Sequence, residues 1–145
     1  MFPKARNERE RTFLLGYYSH LITDCLWVRL INNPCKEKYR ELYARDRAEY
    51  YRLVKADWYD NDAAFLAAHP NLPILAELAA VSGYDSSLLP YYGSDNVQLQ
   101  IDHIAEFYRT RQYDGRSFVY ITPKQIDEFV ATAANEVLEK LKPFL

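Results

Sequence analysis

Apolar residues recur along this chain at spacings of three and four, the interval that stacks them on one face of an α-helix. The pattern is densest between Thr12 and Trp27, the most apolar run in the sequence. One stripe there reads Phe13, Tyr17, His20, Asp24, Trp27 and Ile31; a second reads Leu14, Tyr18, Leu21 or Ile22, Cys25 and Val28. Two apolar stripes predict a helix covered on most sides, and hence a central one. Asn7 is a usable N-cap for it, and Gly16 predicts the close approach of a neighbour. Asn32-Asn33-Pro34 predicts its end near Ile31, because the residue before a proline is biased away from helical geometry.

The same periodicity predicts a second helix from Cys35 or Lys36 to about Trp58, carried by Tyr39, Leu42, Tyr43, Tyr50, Leu53, Val54 and Trp58. Tyr59-Asp60-Asn61-Asp62 reads as a break, since Asp and Asn favour caps and turns over helix interiors. A short helix follows from Ala63 to Ala68 and ends at His69-Pro70, and another covers Ile74 to Val81, with Gly83 suited to the C′ position. Tyr84 to Ser94 is the longest irregular stretch. A helix from about Asp95 to Arg111 carries Val97, Ile101, Ile104, Ala105 and Tyr108 on one stripe. Ser117 to Ile121 is extended in pattern but has no strand to pair with, so an isolated extended segment is expected. The last helix has the clearest start: Thr122 as N-cap, Pro123 at N1, and Gln125 at N3 completing a capping box. Its buried stripe reads Ile126, Phe129, Val130, Ala133, Val137, Leu138 and Leu141, and Pro143 ends it. These elements define an all-α fold, a single domain over residues 1–145 of about five helices around a central apolar helix.

Composition narrows the picture. A chain of 145 residues is long enough for one domain with a real core, and four glycines are too few for an all-β fold rich in tight turns. The net charge of −2 gives no general attraction to nucleic acid, and no nucleic-acid partner is expected. His20, Asp24 and Arg29 interrupt the apolar run from Phe13 to Ile31, which favours a buried helix in a soluble domain over a transmembrane segment. The charged start, with Lys4, Arg6, Glu8, Arg9, Glu10 and Arg11, is unlike a signal peptide, and a cytoplasmic location is expected. Cys25 reads as a small buried hydrophobe and Cys35 as a turn residue, both reduced. The thirteen tyrosines imply amphipathic side chains at core edges, interfaces or pockets. The pairs Tyr17-Tyr18, Tyr50-Tyr51 and Tyr91-Tyr92 are candidates for a pocket holding a cationic head group by cation–π attraction. Adjacent helical residues point about 100° apart, so at most one of each helical pair faces a given pocket.

The strongest chemical candidate is His20-x-x-x-Asp24. Four residues apart, the two side chains share a helix face. An imidazole and a carboxylate so placed can ligate one zinc ion, and they can equally hydrogen-bond to each other as a buried structural pair. Zinc requires further ligands, for which Asp60, Asp62 and His69 are the weaker candidates. His69 suits a helix end or the surface, His103 falls off the apolar stripe of its helix, and Asp57, Asp60 and Asp62 read most simply as a solvated cap. The chain contains no G-x-S-x-G elbow, no P-loop and no G-x-G-x-x-G.

The segment Phe13-Leu-Leu-Gly-Tyr-Tyr-Ser-His-Leu-Ile-Thr-Asp-Cys-Leu-Trp27 resembles the G-x-x-x-H-x-x-x-D helix of the bacterial zinc-dependent phospholipase C family, with Gly16, His20 and Asp24 at the motif positions. Tyr120 to Val130 is also similar to the last helix of uncharacterised members of that group. The resemblance implies an all-α fold in which zinc ions between helices hydrolyse a phosphoester or phospholipid, with His20 and Asp24 as ligands. Family members carry a longer region before this helix, whereas eleven residues precede Thr12, and the family's downstream His-x-x-x-Glu pair has no counterpart, since His103 and Glu106 are three apart. The resemblance thus implies a shortened relative, or a piece of a longer protein, with an incomplete or rearranged site. The leading expectation is a metal-dependent phosphoester hydrolase-like protein. The alternatives are a non-catalytic helical interaction domain with His20 and Asp24 buried, and a tyrosine-lined small-molecule binder. A homodimer is compatible with each.

Overall fold

The computed structural model describes residues 5–81 and 94–145. The described chain is all-α: α1 (Glu8–Trp27), a π-helical turn (Val28–Asn32), α2 (Asn33–Lys38), α3 (Arg40–Arg45), α4 (Arg47–Ala68), α5 (Ile74–Ala80), α6 (Ser94–Thr110), α7 (Pro123–Leu141) and a closing 3-10 turn (Lys142–Phe144). Contacts cluster into two compact units, one formed by residues up to Asn61 together with Ser117–Leu145, the other by Asp62–Arg116. No strand occurs among the described residues. The expected Gly83 cap and residues 84–93 of the expected irregular stretch lie outside them.

In the larger unit, α1 and α7 pack antiparallel. Arg11 near the start of α1 donates to the carbonyls of Phe144 and Leu145 at 2.8 and 3.2 Å, while Trp27 at its end meets Phe129 near the start of α7, edge to face at 5.2 Å. Ile22, Leu26, Ile31, Ile121, Phe129 and Ala133 form the core, and Trp27 and Trp58 pack against it with ring centroids 5.0 Å apart. Both predicted caps are present: the Asn7 side chain accepts from Glu10 N–H at 2.9 Å, and Thr122 and Gln125 form the full capping box. The buried stripe of α7 is narrower than its sequence pattern, because Val130 and Leu138 are exposed.

Three expectations are corrected. The helix does not stop at Asn32-Asn33-Pro34. Its backbone widens instead into the π-helical turn, in which Asn33 N–H bonds to Val28 C=O, five residues back, and helix resumes as α2. Proline has no N–H to donate and its ring crowds the carbonyl four residues earlier, so a wider turn accommodates Pro34 where an α-turn would not. The region expected to be one helix from Cys35 to Trp58 breaks at Tyr39 and again at Asp46. Asp46 has extended backbone, and its side chain accepts from Glu49 N–H at 2.9 Å, which makes it the N-cap of α4. Finally, α4 runs unbroken through Tyr59–Asp62 to Ala68.

The polar residues expected to break α4 do other work. Asp57 is fully buried, and a single carboxylate oxygen, Oδ2, accepts from the N–H groups of Val119, Tyr120 and Ile121 at 2.8, 2.5 and 3.1 Å. The carbonyls of the same three residues are taken as well. Tyr39 Oη donates to Val119 O at 2.7 Å, Cys35 Sγ donates weakly to Tyr120 O at 3.7 Å, and Asn61 Nδ2 donates to Ile121 O at 2.9 Å. Four side chains thereby satisfy every backbone polar group of an extended segment that has no strand beside it. With these partners in place, Asp57 and Asn61 no longer compete with the helix that carries them. The expected solvated cap at Asp57 and Asp60 is therefore wrong: both are buried.

Replacing Asp57 by Leu leaves three amides without an acceptor and is expected to cost at least about 3 kcal/mol, whereas Asn61→Leu costs about 1–3 kcal/mol. Denaturant unfolding monitored by circular dichroism measures both, and a neutral Asp57→Leu contradicts this account.

Candidate functional site

His20 and Asp24 share a face of α1, as their spacing requires, with His20 Nε2 3.3 Å from Asp24 Oδ2. They are not buried: the side chains are 64% and 61% exposed. The expectation of a buried pair fails because α1 is covered on one side only. Ile22 and Leu26 are its buried residues, with Tyr18 and Trp27 packed beside the core. Those residues draw on both predicted stripes. The remainder of the stripes faces outward, so that Tyr17, Leu21, Cys25 and Val28 are exposed around the pair. A Cβ built on Gly16 meets nothing within 4 Å, so the neighbour predicted there is missing among the described residues.

The weaker candidates are dispersed. Asp60 is buried in the larger unit. Asp62 and His69 belong to the smaller one, where Asp62 Oδ2 accepts from Tyr108 Oη at 2.7 Å. Burial raises the Asp62 carboxyl above the usual range, and the Tyr108 hydrogen bond and the Arg111 charge pull it down only in part. His69 is exposed at the end of α4, with Nδ1 2.8 Å from Phe65 O and its ring packed against that of Phe65. Among the described residues, no three His, Cys, Asp or Glu side chains come together as a metal-binding group. His103 is exposed, as its position off the stripe predicts.

Both thiols are free, with places opposite to expectation: Cys25 is exposed and Cys35 is buried in α2. Burial pushes the Cys35 thiol above the ordinary cysteine range, which keeps it protonated and unreactive. Beside it Tyr50 is fully buried, and its hydroxyl has no hydrogen-bond partner. No helix of the described chain is long and apolar enough to cross a membrane.

Sequence reasoning missed a cluster of cations and rings. Lys36, Tyr43, Arg47 and Tyr51 come together from α2, α3 and α4. The spacing 43, 47, 51 carries a helix-face signal, but the break at Asp46 hides it until the fold is known. Comparison of the chain with family profiles, with curated proteins and with solved structures gave no match. The functional reading therefore rests on the surfaces just described.

Two outcomes follow. Tyr50→Phe removes a buried, unpaired hydroxyl and is expected to leave stability unchanged or raise it by up to about 1 kcal/mol. For Asp62, the folded pKa lies above the unfolded one, so the folded state holds its proton more tightly. The protonated form stabilises at low pH, and that contribution is lost as pH rises through the folded pKa. Asp62→Asn should therefore gain in thermal midpoint relative to wild type between pH 3 and pH 7, roughly spanning the carboxylate range; a difference that shrinks over that interval refutes the burial argument.

Proposed function

We propose that this chain is a non-catalytic helical interaction domain that pairs with a second copy of itself along the outer face of α1. The observation that carries this reading is the composition of that face. Tyr17, Leu21 and Val28 are 43%, 42% and 45% exposed on a helix whose other side builds the core, and they surround the His20–Asp24 pair. Apolar side chains grouped around a polar centre are the usual anatomy of a docking surface.

The choice of a second copy rests on self-complementarity. In a two-fold arrangement each contact occurs twice, residue i on j and j on i. Two antiparallel α1 helices crossing near Ile22 place His20 of each copy opposite Asp24 of the other. The same symmetry sets Val28 over the open space at Gly16. Charge and size thus match across one axis without any further residue. Both thiols remain reduced in the cytoplasmic setting this reading assumes.

A second reading, a zinc-dependent, phospholipase C-type phosphoester hydrolase, is favoured by the 3.3 Å approach of His20 to Asp24. In it zinc supplies an activated water and polarises the phosphoryl oxygen of a phosphoester or phospholipid substrate. Two side chains fill half of a zinc shell, and the paired copy supplies the other half. A zinc ion held by two His and two Asp keeps no open position, which suits a structural site better than a catalytic one.

Sedimentation or light scattering is expected to find a dimer, and Leu21→Glu to weaken it at least about tenfold with helicity retained. A monomer at all concentrations, or a Leu21→Glu dimer as tight as wild type, refutes the pairing. Zinc, if bound between copies, should reach about 0.5 per chain and vanish in His20→Ala. Less than about 0.2 per chain with no thermal shift on adding zinc removes the metal reading and leaves the interaction reading standing.

A further inference from the structure

We infer that Lys36, Tyr43, Arg47 and Tyr51 form a binding site for a phosphate-type oxyanion. Lys36 Nζ lies 5.5 Å from the centre of the Tyr43 ring and 5.9 Å from that of Tyr51. The guanidinium carbon of Arg47 lies 5.4 and 5.7 Å from the same two rings, which meet edge to face at 6.0 Å. Two cations thus border one pair of rings. Neither is in an ion pair among the described residues. Of the four acidic residues between Lys36 and Arg52, Glu37 is engaged by Arg40 at 3.5 Å, Glu49 by Arg52 at 2.6 Å, and Asp46 by its cap on Glu49 N–H.

Bringing two like charges to one spot is unfavourable, and the ring faces offset only part of the repulsion. An anion between them would remove it. The phenol of Tyr51 reports the same field. Burial acts to raise its pKa, but Arg47, Tyr43 and Lys36 outweigh burial and hold it below the ordinary tyrosine range. A negatively charged oxygen is therefore already favoured at this place. Tyrosines in pairs first point to a cationic ligand, but here the chain's own Lys36 and Arg47 take the cation positions, so an ammonium ligand would meet two like charges. Two cations match one dianion, and a planar guanidinium with a nearby ammonium and phenols offers the directed donors that phosphate oxygens accept.

The ligand is a phosphomonoester or inorganic phosphate, free in solution or carried on a lipid headgroup. The test titrates the full chain with phenyl phosphate by calorimetry and, separately, measures co-sedimentation with phosphatidylcholine vesicles containing phosphatidic acid. Binding to phenyl phosphate identifies a soluble source, and binding to the vesicles alone identifies a headgroup. In either case Lys36→Gln with Arg47→Gln should weaken binding at least about tenfold, while Lys124→Gln on α7 leaves it unchanged. Phenolate absorbance should also show the Tyr51 titration moving to higher pH in the double variant, a readout independent of any ligand. Failure to bind either probe, or binding undiminished in the double variant, overturns the assignment.

Discussion

One carboxylate oxygen organises the larger unit. Asp57 Oδ2 gathers three successive amides, and Tyr39, Cys35 and Asn61 receive the matching carbonyls. An extended segment normally meets its hydrogen-bonding needs in a sheet; here side chains of the helical layer stand in for the missing strand. The result sets Ile121 in the core at 1% exposure and delivers Thr122 to the N-cap of α7 in extended geometry. The packing of α7 on α1 thus depends on a polar contact made by α4. A buried charge is tolerated because all three donors converge on it.

Much of the fold was legible where one local signal decides the outcome. The caps at Asn7 and Thr122 could be read directly, because a capping side chain needs only its own neighbours. The all-α class followed from periodicity. What was hidden depends on distant partners. Asp57 and Asn61 read as helix breakers because their acceptors and donors lie some sixty residues away, at Val119–Ile121. The cap at Asp46 was legible, since Glu49 stands three residues on, but the apolar positions on either side pointed to a continuous helix.

The His20–Asp24 site divides in the same manner. Its geometry was readable, since spacing four on a helix brings the groups together. Its burial was not. Apolar residues flank the pair on both sides in sequence, and nothing in a periodic pattern says which flank meets α7. The structure gives the core Tyr18, Ile22 and Leu26, and leaves Tyr17, Leu21, Cys25 and Val28 outside. The cation–ring cluster was concealed for a related reason. Its four members belong to three helices whose breaks had to be known before their faces could be aligned.

The π-helical turn at Val28–Asn32 acts as an angular coupling between these two surfaces. It inserts one residue more per turn than the α-helix, and each residue rotates the helix by about 100°. Everything after it, including Cys35 beneath Tyr120 and Lys36 beside Tyr43, is phased by that one added residue relative to α1. A single deletion there is length-neutral to the eye, yet it would turn α2 by more than a quarter revolution. The thiol would leave the segment it supports and the ammonium would leave its rings, while α1 kept its own faces. In this chain the indel tolerance of a surface helix is set by backbone phase, and not by the identity of any side chain removed.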